Sequence, residues 1–264
     1  MACKICGSAV RELFKRTIMN KYDVQYFQCT TCDFIQTETP FWLDEAYKNS
    51  LNIEDTGIIK RNLLMAKRTS VIISFLFDRK SQYLDYGGGT GLFVRLMRDY
   101  GYDFYWNDPY TENIFSRGFE GDISSTQQYR AVTTFECFEH FIDPRTEINK
   151  MLSLAPAIIF STEIFTGNAP LPENWPYYYF SHGQHISLYS LKSLRILADV
   201  YNLQLLTNNK SFHVLTPRKH SGLFYQTLLK ISATGISSLL TALNGSKTKF
   251  DAQNLSSHHM EHLS

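Results

Sequence analysis

A short apolar segment, a cluster of glycines and an amphipathic segment follow one another directly between residues 81 and 101. The apolar segment, Tyr83-Leu-Asp-Tyr86, is typical of a buried strand. The four glycines are Gly87, Gly88, Gly89 and Gly91. After them, apolar residues recur at helical spacing from Leu92 as far as Gly101. This order predicts the strand, turn and helix at which open α/β sheets bind ligands, beyond the carboxyl ends of their strands.

The spacing of the glycines restricts the ligand that such a turn can hold. A dinucleotide turn has glycines at its first, third and sixth positions, but the sixth position is Leu92 when Gly87 is counted as the first and Val94 when Gly89 is. This mismatch argues against an NAD-dependent dehydrogenase. A phosphate-binding loop needs Gly-Lys-Ser/Thr, which is absent. Asp85 precedes the glycines, and its carboxylate favours a cationic ligand without phosphate. The alternative is a tight turn that binds nothing.

The segment Asp85-Tyr-Gly-Gly-Gly-Thr-Gly91 resembles the first motif of class I S-adenosylmethionine-dependent methyltransferases. The resemblance extends over about residues 81–216. It implies a Rossmann-like α/β fold with a mostly parallel, seven-stranded sheet. It also implies S-adenosylmethionine as cofactor, bound by Asp85 and by the glycines of the turn.

Further cofactor residues are expected after the next strands. Asp108 ends the predicted strand Tyr102–Trp106, about 20 residues beyond the glycines, where an acid can accept the ribose hydroxyl protons. Its alternative role is to form an Asn-Asp-Pro turn. The resemblance implies that Asp122 and Ile123 hold the adenine, although Gly121-Asp122 is also simply a turn. It also places Glu136, which follows the predicted strand Ala131–Phe135, at the cofactor.

Four of the five cysteines form two Cys-x-x-Cys pairs near the N-terminus: Cys3, Cys6, Cys29 and Cys32. Twenty-two residues separate the two pairs. Paired knuckles of this kind hold a tetrahedral zinc ion through four thiolates, and such a closed coordination sphere is structural. We therefore predict a zinc ribbon over residues 1–40, as in a subset of the methyltransferase family. The alternative is four unligated or redox-active thiols.

The candidate catalytic residues lie near an aromatic segment, residues 174–190. Flat aromatic rings in a loop suit the stacking of a carbohydrate. Methylation of a hydroxyl requires a base, most often histidine. Gln184-His185-x-x-x-Tyr-Ser190 is similar to the Glu-His-x-x-x-x-Ser segment of zinc-ribbon-bearing deoxysugar methyltransferases, whose histidine is implicated as base. We therefore rank His185 first, with His182 and His140 behind it, against a structural role for His185 in fastening the loop.

The remaining features concern organisation and compartment. A helix is expected from Ile58 to about Phe77. The predicted division is a ribbon over 1–40, a helical connector over 41–80, a methyltransferase domain over 81–217, a C-terminal helix over 218–245 and a disordered tail over 246–264.

The net charge of +1 argues against nucleic-acid binding. No signal peptide or transmembrane run is expected, and reduced cysteines favour the cytoplasm. The C-terminal helix could cover the core, form a homodimer or lie on a membrane.

Together these features predict O-methylation of a small polar acceptor, a sugar or nucleotide-sugar of polysaccharide or secondary-metabolite synthesis. C-methylation of an enolised sugar is the alternative, and it is disfavoured because Gln184 stands where the deoxysugar enzymes have glutamate. A non-catalytic module, whose ribbon recruits a protein or RNA, is the alternative of another class.

Overall fold

The computed structural model describes residues 1–48, 55–124, 126 and 128–261, excluding the side chains of residues 258–261. Its strands are β1 (Val10–Ile18), β2 (Tyr22–Cys29), β3 (Ile35–Thr37), β4 (Gln82–Tyr86), β5 (Asp103–Asn107), β6 (Ala131–Phe135), β7 (Ile158–Ser161), β8 (Ile164–Phe165), β9 (Ser187–Ser190), β10 (Gln204–Thr207) and β11 (Phe212–Thr216). Its α-helices are α1 (Leu43–Ala46), α2 (Ile58–Leu76), α3 (Leu92–Asp99), α4 (Pro144–Leu154), α5 (Leu191–Val200), α6 (Gly222–Ile231), α7 (Ile236–Asn244) and α8 (Thr248–Glu261).

The strands form two sheets. The larger sheet has the order β10-β11-β7-β6-β4-β5, and the smaller has the order β1-β2-β3-β9-β8. In the larger sheet, β4 pairs in parallel with β5 and β6, whereas β11 pairs antiparallel with β7 and β10. The expected Rossmann-like α/β fold is confirmed, but its sheet is mixed.

Six strands form the larger sheet in the described part of the chain, where seven were expected. The segment expected to be a short strand near Phe119–Ile123 makes only one parallel bridge, between Trp106 and Glu120. Beyond it, Asp122 Oδ1 accepts hydrogen bonds from the backbone N–H and hydroxyl of Ser124. These bonds turn the chain away, and the strand does not continue.

The chain divides into two compact units. The first comprises Met1–Asp55, Thr134–Ser153 and Ala157–His220, and the second comprises Thr56–Thr133, Leu154–Pro156 and Ser221–Ser264. The first unit therefore contains the cysteine-bearing strands and the three candidate catalytic histidines. The second contains the glycine turn.

In the first unit, residues 1–40 do not form a separate module. Their strand β3 pairs antiparallel with β9, with Ile35 opposite Leu188. The hydroxyl of Ser190, at the end of β9, donates a hydrogen bond to the carbonyl of Cys32. One apolar core, including Tyr26 and Ile35, also contains residues from beyond position 164. The ribbon strands thus use partners from the later part of the chain to bury their apolar face.

The aromatic segment, residues 174–190, is mostly core, so the expectation of an open stacking face was wrong for most of its rings. Trp175, Tyr177 and Tyr178 are buried against the cysteine-bearing strands. Burial of such large rings is favourable because each removes a large apolar area from water. Tyr179 differs, since it is 43% exposed.

In the second unit, the expected helix forms as α2, which contacts α3, α6 and α7. Its buried face includes Met65, Ala66, Val71, Ile72 and Leu76. Four apolar residues of α2 that its sequence would place against the core are instead exposed: Ile59, Leu63, Leu64 and Phe75.

The C-terminal region also differs from expectation. Two helices, α6 and α7, replace the single helix expected over residues 218–245, and α7 begins after Gly235. Where a disordered tail was expected, α8 forms. Asp251 of α8 is buried and accepts two hydrogen bonds from Arg98, at 2.8 and 2.7 Å. The polar composition of residues 246–264 did not indicate this buried ion pair. No helix in the described part of the chain is long and apolar enough to cross a bilayer.

Candidate active site

The glycine turn of the second unit follows β4 directly and leads into α3. Gly87, Gly89 and Gly91 have φ angles of 71°, 54° and 81°, a backbone region that only glycine enters readily. The N–H groups of Gly87 and Gly88 both donate to the carbonyl of Asn107, at 2.9 and 3.1 Å. These bonds tie the turn to the end of β5. The predicted strand, turn and helix are therefore confirmed.

Asp85 lies just before the turn and is buried, with 3% of its surface exposed. The Thr133 hydroxyl donates to its Oδ1 at 2.6 Å. Burial raises the pKa of Asp85 to about 7, the negative charge of Asp108 adds to the effect, and the Thr133 hydrogen bond opposes it. Near neutral pH, this carboxyl is therefore poised to ionise when a cation approaches.

The glycines differ in what surrounds them. A Cβ on Gly88 would lie 2.8 Å from Trp106 Cδ1, and one on Gly91 would lie 2.3 Å from Ser116 Oγ. A Cβ on Gly89 would meet nothing within 4 Å. Gly88 and Gly91 thus allow close packing, whereas Gly89 borders open space. This space beside a buried carboxylate fits a cationic cofactor with no phosphate to accommodate.

Asp108 has a structural role in the turn. Its Oδ2 accepts a hydrogen bond from Gly89 N–H at 2.8 Å, and its Oδ1 accepts from the N–H groups of Tyr110 and Thr111. Asp108 is half-buried at the turn, as a ribose-binding acid would be. Asp122 and Ile123 are exposed, and Asp122 is engaged with Ser124. The cofactor roles of these three residues stay predictions.

Two of the candidate catalytic histidines lie together in the first unit, with ring centroids 4.9 Å apart. Nδ1 of His185 lies 2.7 Å from the carbonyl oxygen of Tyr177, and Nδ1 of His140 lies 3.2 Å from that of Gln184. A carbonyl oxygen only accepts hydrogen bonds, so each Nδ1 carries the proton and each Nε2 presents a lone pair.

The same two histidines are neutral near pH 7. Burial lowers the pKa of His140 to about 4. Burial also lowers the pKa of His185 well below its usual value, and charge on His140 and His182 would lower it further. A neutral imidazole with a free lone pair can accept a proton. The lone pair is what a general base needs, whereas the lowered pKa reduces the basicity of the ring and is equally expected of a structural histidine.

The third candidate, His182, is in a different state. Gln184 N–H donates to its Nδ1 at 3.3 Å, which places the ring proton on Nε2. Its ring stacks on Tyr179, with centroids 5.0 Å apart, and lies 5.3 Å from that of His185. His182 is therefore a weaker candidate for the base than His185.

Glu136 follows β6 with a φ of 54°, which is uncommon for any residue other than glycine. The Ser161 hydroxyl accepts from its N–H at 2.9 Å and donates to its Oε1 at 2.6 Å. Such strained conformations persist where the surroundings fix them, often at functional sites. Its role at the cofactor stays a prediction.

The four N-terminal cysteines converge in the first unit. Their sulfurs lie within 4.8 Å of one another, with Cys3 Sγ 3.5 Å from Cys32 Sγ and Cys6 Sγ 3.4 Å from Cys29 Sγ. The N–H groups of Thr31 and Cys32 donate to Cys29 Sγ. The Cys32 hydrogen bond lowers the pKa of the Cys3 thiol to about 5, although burial opposes this. Four converging sulfurs with amide donors fit a tetrahedral zinc ion.

Comparison with protein families decides the class of this site. A family model described as a methyltransferase domain matches residues 60–208, more than half of the chain. The chain belongs to this methyltransferase family. It is an S-adenosylmethionine-dependent methyltransferase. No curated protein sequence matches it.

Solved structures similar to this methyltransferase include three with related descriptions. An S-adenosylmethionine-dependent methyltransferase from Thermotoga maritima, a possible histamine N-methyltransferase, is 13% identical, with a TM-score of 0.46 over 65% of this chain and 97% of that one. Magnesium protoporphyrin IX methyltransferase from Synechocystis PCC 6803, with bound SAH, is 12% identical and has a TM-score of 0.43. The match covers 66% of this chain and 92% of that chain. An O-methyltransferase family 2 protein from Planctomyces limnophilus, in complex with apigenin, is 11% identical and has a TM-score of 0.42. The match covers 66% of this chain and 66% of that chain. Such distant similarity does not indicate the acceptor of this chain.

Several residues beside the candidate groups of each unit were not predicted from the sequence. Thr133 binds Asp85, Trp106 donates from Nε1 to the carbonyl of Gly89 at 2.8 Å, and the Tyr47 hydroxyl lies 3.0 Å from His140 Nδ1. Glu139 is fully buried beside His140 and His185. Of these residues, only Glu139 could have been found from the sequence, because it directly precedes the candidate His140.

Proposed function

We propose that this methyltransferase transfers a methyl group to a hydroxyl of a small polar acceptor, a sugar or nucleotide-sugar. The observation that carries the proposal is the state of His185, a neutral imidazole whose Nδ1–H is held by the Tyr177 carbonyl. Its Nε2 lone pair can accept the proton of an acceptor hydroxyl, and the oxygen then attacks the methyl carbon.

The donor residues belong to the second unit, apart from Glu136, which belongs to the first. Asp85 would face the cationic methionine end of S-adenosylmethionine, and the open space at Gly89 would admit the nucleoside. Asp108 would take the ribose hydroxyls, with Asp122 and Ile123 at the adenine and Glu136 as a further contact. When bound, this cofactor supplies a sulfonium methyl group that an oxygen nucleophile can attack.

The exposed ring of Tyr179 supports a carbohydrate as the acceptor. It stacks on His182 and lies 5.0 Å from the His185 ring, so an aromatic face is available beside the proposed base. Sugars offer apolar faces that pack on such rings. A nucleotide-sugar presents the same face together with its hydroxyls.

Further parts of the proposal concern the metal and the compartment. The cysteine cluster would hold structural zinc through Cys3, Cys6, Cys29 and Cys32. All five cysteines are free of disulfides, which fits a reducing compartment such as the cytoplasm. A homodimer would use the exposed apolar side chains of α6 and α7, among them Leu223 and Leu243.

Calorimetric titration with S-adenosylmethionine tests the donor half of the proposal. Wild type should bind, and Gly89→Ala should lose at least about tenfold in affinity, because the new methyl group enters the open space of the turn. Gly167→Ala is the matched control: Gly167 also has a positive φ, 79°, and open space, but lies in the first unit. No binding by wild type, or equal losses in both variants, would reject the donor assignment.

A further inference from the structure

A second group of potential metal ligands lies in the first unit, apart from the cysteines. Glu139, His140 and His185 each offer one ligand atom, and these atoms lie within 4.8 Å of one another. Glu139 is fully buried, His185 is 6% exposed and His140 is half-buried. Two imidazoles and a carboxylate form a ligand set that first-row transition metals commonly use.

The hydrogen bonds of the two histidines resemble those of metal ligands. A histidine that binds a metal through one ring nitrogen usually donates its other N–H to a carbonyl or carboxylate. Here the carbonyls of Tyr177 and Gln184 accept from the Nδ1 atoms of His185 and His140. Both Nε2 atoms are thereby left as lone-pair donors before any ion arrives.

The geometry requires only small movements. Ligand atoms about 2.1 Å from a tetrahedral ion are about 3.4 Å apart. Atoms now within 4.8 Å of one another would need to approach by up to about 1.4 Å. Side-chain rotation of the half-buried His140 can supply part of this movement.

We propose that Glu139, His140 and His185 bind one divalent first-row transition metal ion. Three protein ligands leave a coordination position open, as in catalytic rather than structural sites. This part keeps the methylation of a hydroxyl from the proposed function and replaces its base with the ion: the open position would take the acceptor hydroxyl oxygen. The ion lowers the pKa of that hydroxyl, and its proton leaves to solvent. The oxygen then forms the C–O bond as the C–S bond breaks, and His185 acts as a ligand instead of the base.

The two metal sites differ enough to be loaded separately. Four thiolates are soft ligands that favour zinc, whereas a site of imidazoles and a carboxylate also suits harder ions. The full chain is treated with EDTA under reducing conditions and then given one equivalent of Zn²⁺. Titration with Co²⁺ should show one further equivalent bound, with weak visible d–d bands and no thiolate charge-transfer absorption.

Variants show which residues hold the second ion. Glu139→Gln and His140→Gln should each weaken Co²⁺ binding by at least about tenfold. His182→Gln is the matched control, since its ring contacts that of His185 but lies outside the three-residue group, and it should retain wild-type affinity. The two ligand variants change a buried and a half-buried position, so the failure of one to fold leaves the other to decide.

The results separate this inference from the proposed function. A single metal equivalent in wild type, or Co²⁺ binding unchanged in both ligand variants, would overturn the site. Transfer of tritiated methyl to nucleoside diphosphate sugars should be faster with Co²⁺ than in zinc-loaded, EDTA-treated protein. Equal rates would overturn the role of the ion in transfer. If calorimetry shows no donor binding, the proposed function fails, and the metal stoichiometry still decides the site.

Discussion

Asp85 is the carboxyl group whose proton affinity matters most for the donor. Burial places its pKa at about 7, so that it is largely protonated at pH 6 and largely ionised at pH 8. A cationic ligand interacts favourably with the ionised form and lowers the pKa. Donor binding should therefore release a proton when it takes place between these pH values.

We expect the affinity for S-adenosylmethionine to rise between pH 5.5 and 7.5 by up to about tenfold per pH unit, as one coupled proton allows. Asp85→Asn should bind more weakly and lose this dependence, because its amide does not titrate. Calorimetry in buffers with different ionisation enthalpies measures the proton released. A wild-type affinity that is constant with pH, with no proton release, would contradict the role given to Asp85.

His185 is the residue on which acceptor chemistry depends, as base or as metal ligand. We expect His185→Ala to reduce methyl transfer by about 10²- to 10⁴-fold, the usual contribution of a proton-transfer group. Its affinity for the donor should remain near that of wild type, because the glycine turn belongs to the other unit. Transfer assays and donor titration on the same preparation check both expectations. Retained turnover would reassign the role.

At the scale of elements, the sequence predicted local features well. The strand, turn and helix around Gly87–Gly91 depend on neighbouring residues, so that pattern and glycine chemistry were sufficient. The pairing of β3 with β9 joins residues about 150 positions apart, and no local pattern in the sequence predicts such a pairing. The aromatic residues near Trp175 were assigned to a surface for the same reason: their partners are the distant strands β1 and β2.

The shared sheet predicts how far the loss of zinc should spread. Removal of the ion leaves four thiols with no common ligand at the ends of short strands. Because β3 is hydrogen-bonded to β9, we expect EDTA-treated protein to show faster amide hydrogen exchange in β1, β2, β3 and β9 than the same protein reloaded with one equivalent of Zn²⁺. Exchange in β4 and β5 of the other unit serves as the internal control. Unchanged exchange in the cysteine-bearing strands of metal-free protein would argue against zinc.

The ion pair between Arg98 and Asp251 predicts the contribution of α8. Both side chains are almost fully buried, at 3% and 2% exposure, and two hydrogen bonds join them. Asp251→Asn removes the charged partner that Arg98 shares with Arg95 and leaves Arg98 with Asp103, 2.9 Å away, as its remaining carboxylate. The loss of these charged hydrogen bonds should lower the free energy of unfolding by about 1.5–3 kcal/mol. Urea unfolding measures this.

The control for that variant is an ion pair with an exposed partner. Glu147→Gln removes the pair with Lys150, whose side chain is 56% exposed. It should cost less than about 1 kcal/mol. Equal effects of the two substitutions would mean that α8 contributes little to stability.

For the whole molecule, buried histidines should dominate the pH dependence of stability near neutrality. His213 is fully buried, and its Nε2–H donates to the Thr162 carbonyl at 3.0 Å. Burial lowers its pKa to about 4, and burial lowers those of His140 and His185 as well. Between about pH 4 and 6.5 the unfolded chain binds protons at these sites that the native protein does not. Stability should therefore fall as the pH falls through this interval.

Asp85 acts in the opposite direction, because its pKa is raised in the native protein. Between its unfolded pKa of 3.8 and about pH 7 the native state binds the extra proton, so that its contribution to stability is lost as the pH rises. The three histidines lower the stability as the pH falls and the one carboxyl raises it, so the net effect is a loss of stability in acid. Each histidine should contribute about 2 kcal/mol to the difference between pH 7 and pH 5.

Two substitutions should change this profile in opposite directions. His213→Gln keeps a side-chain N–H for the Thr162 carbonyl but cannot titrate, so it should reduce the loss of stability between pH 7 and pH 5 by about 2 kcal/mol. Asp85→Asn removes the opposing carboxyl and should make the loss larger. Urea unfolding at several pH values measures both slopes. If the two variants changed the slope in the same direction, or wild-type stability were constant over this range, the buried neutral state of these histidines would be wrong.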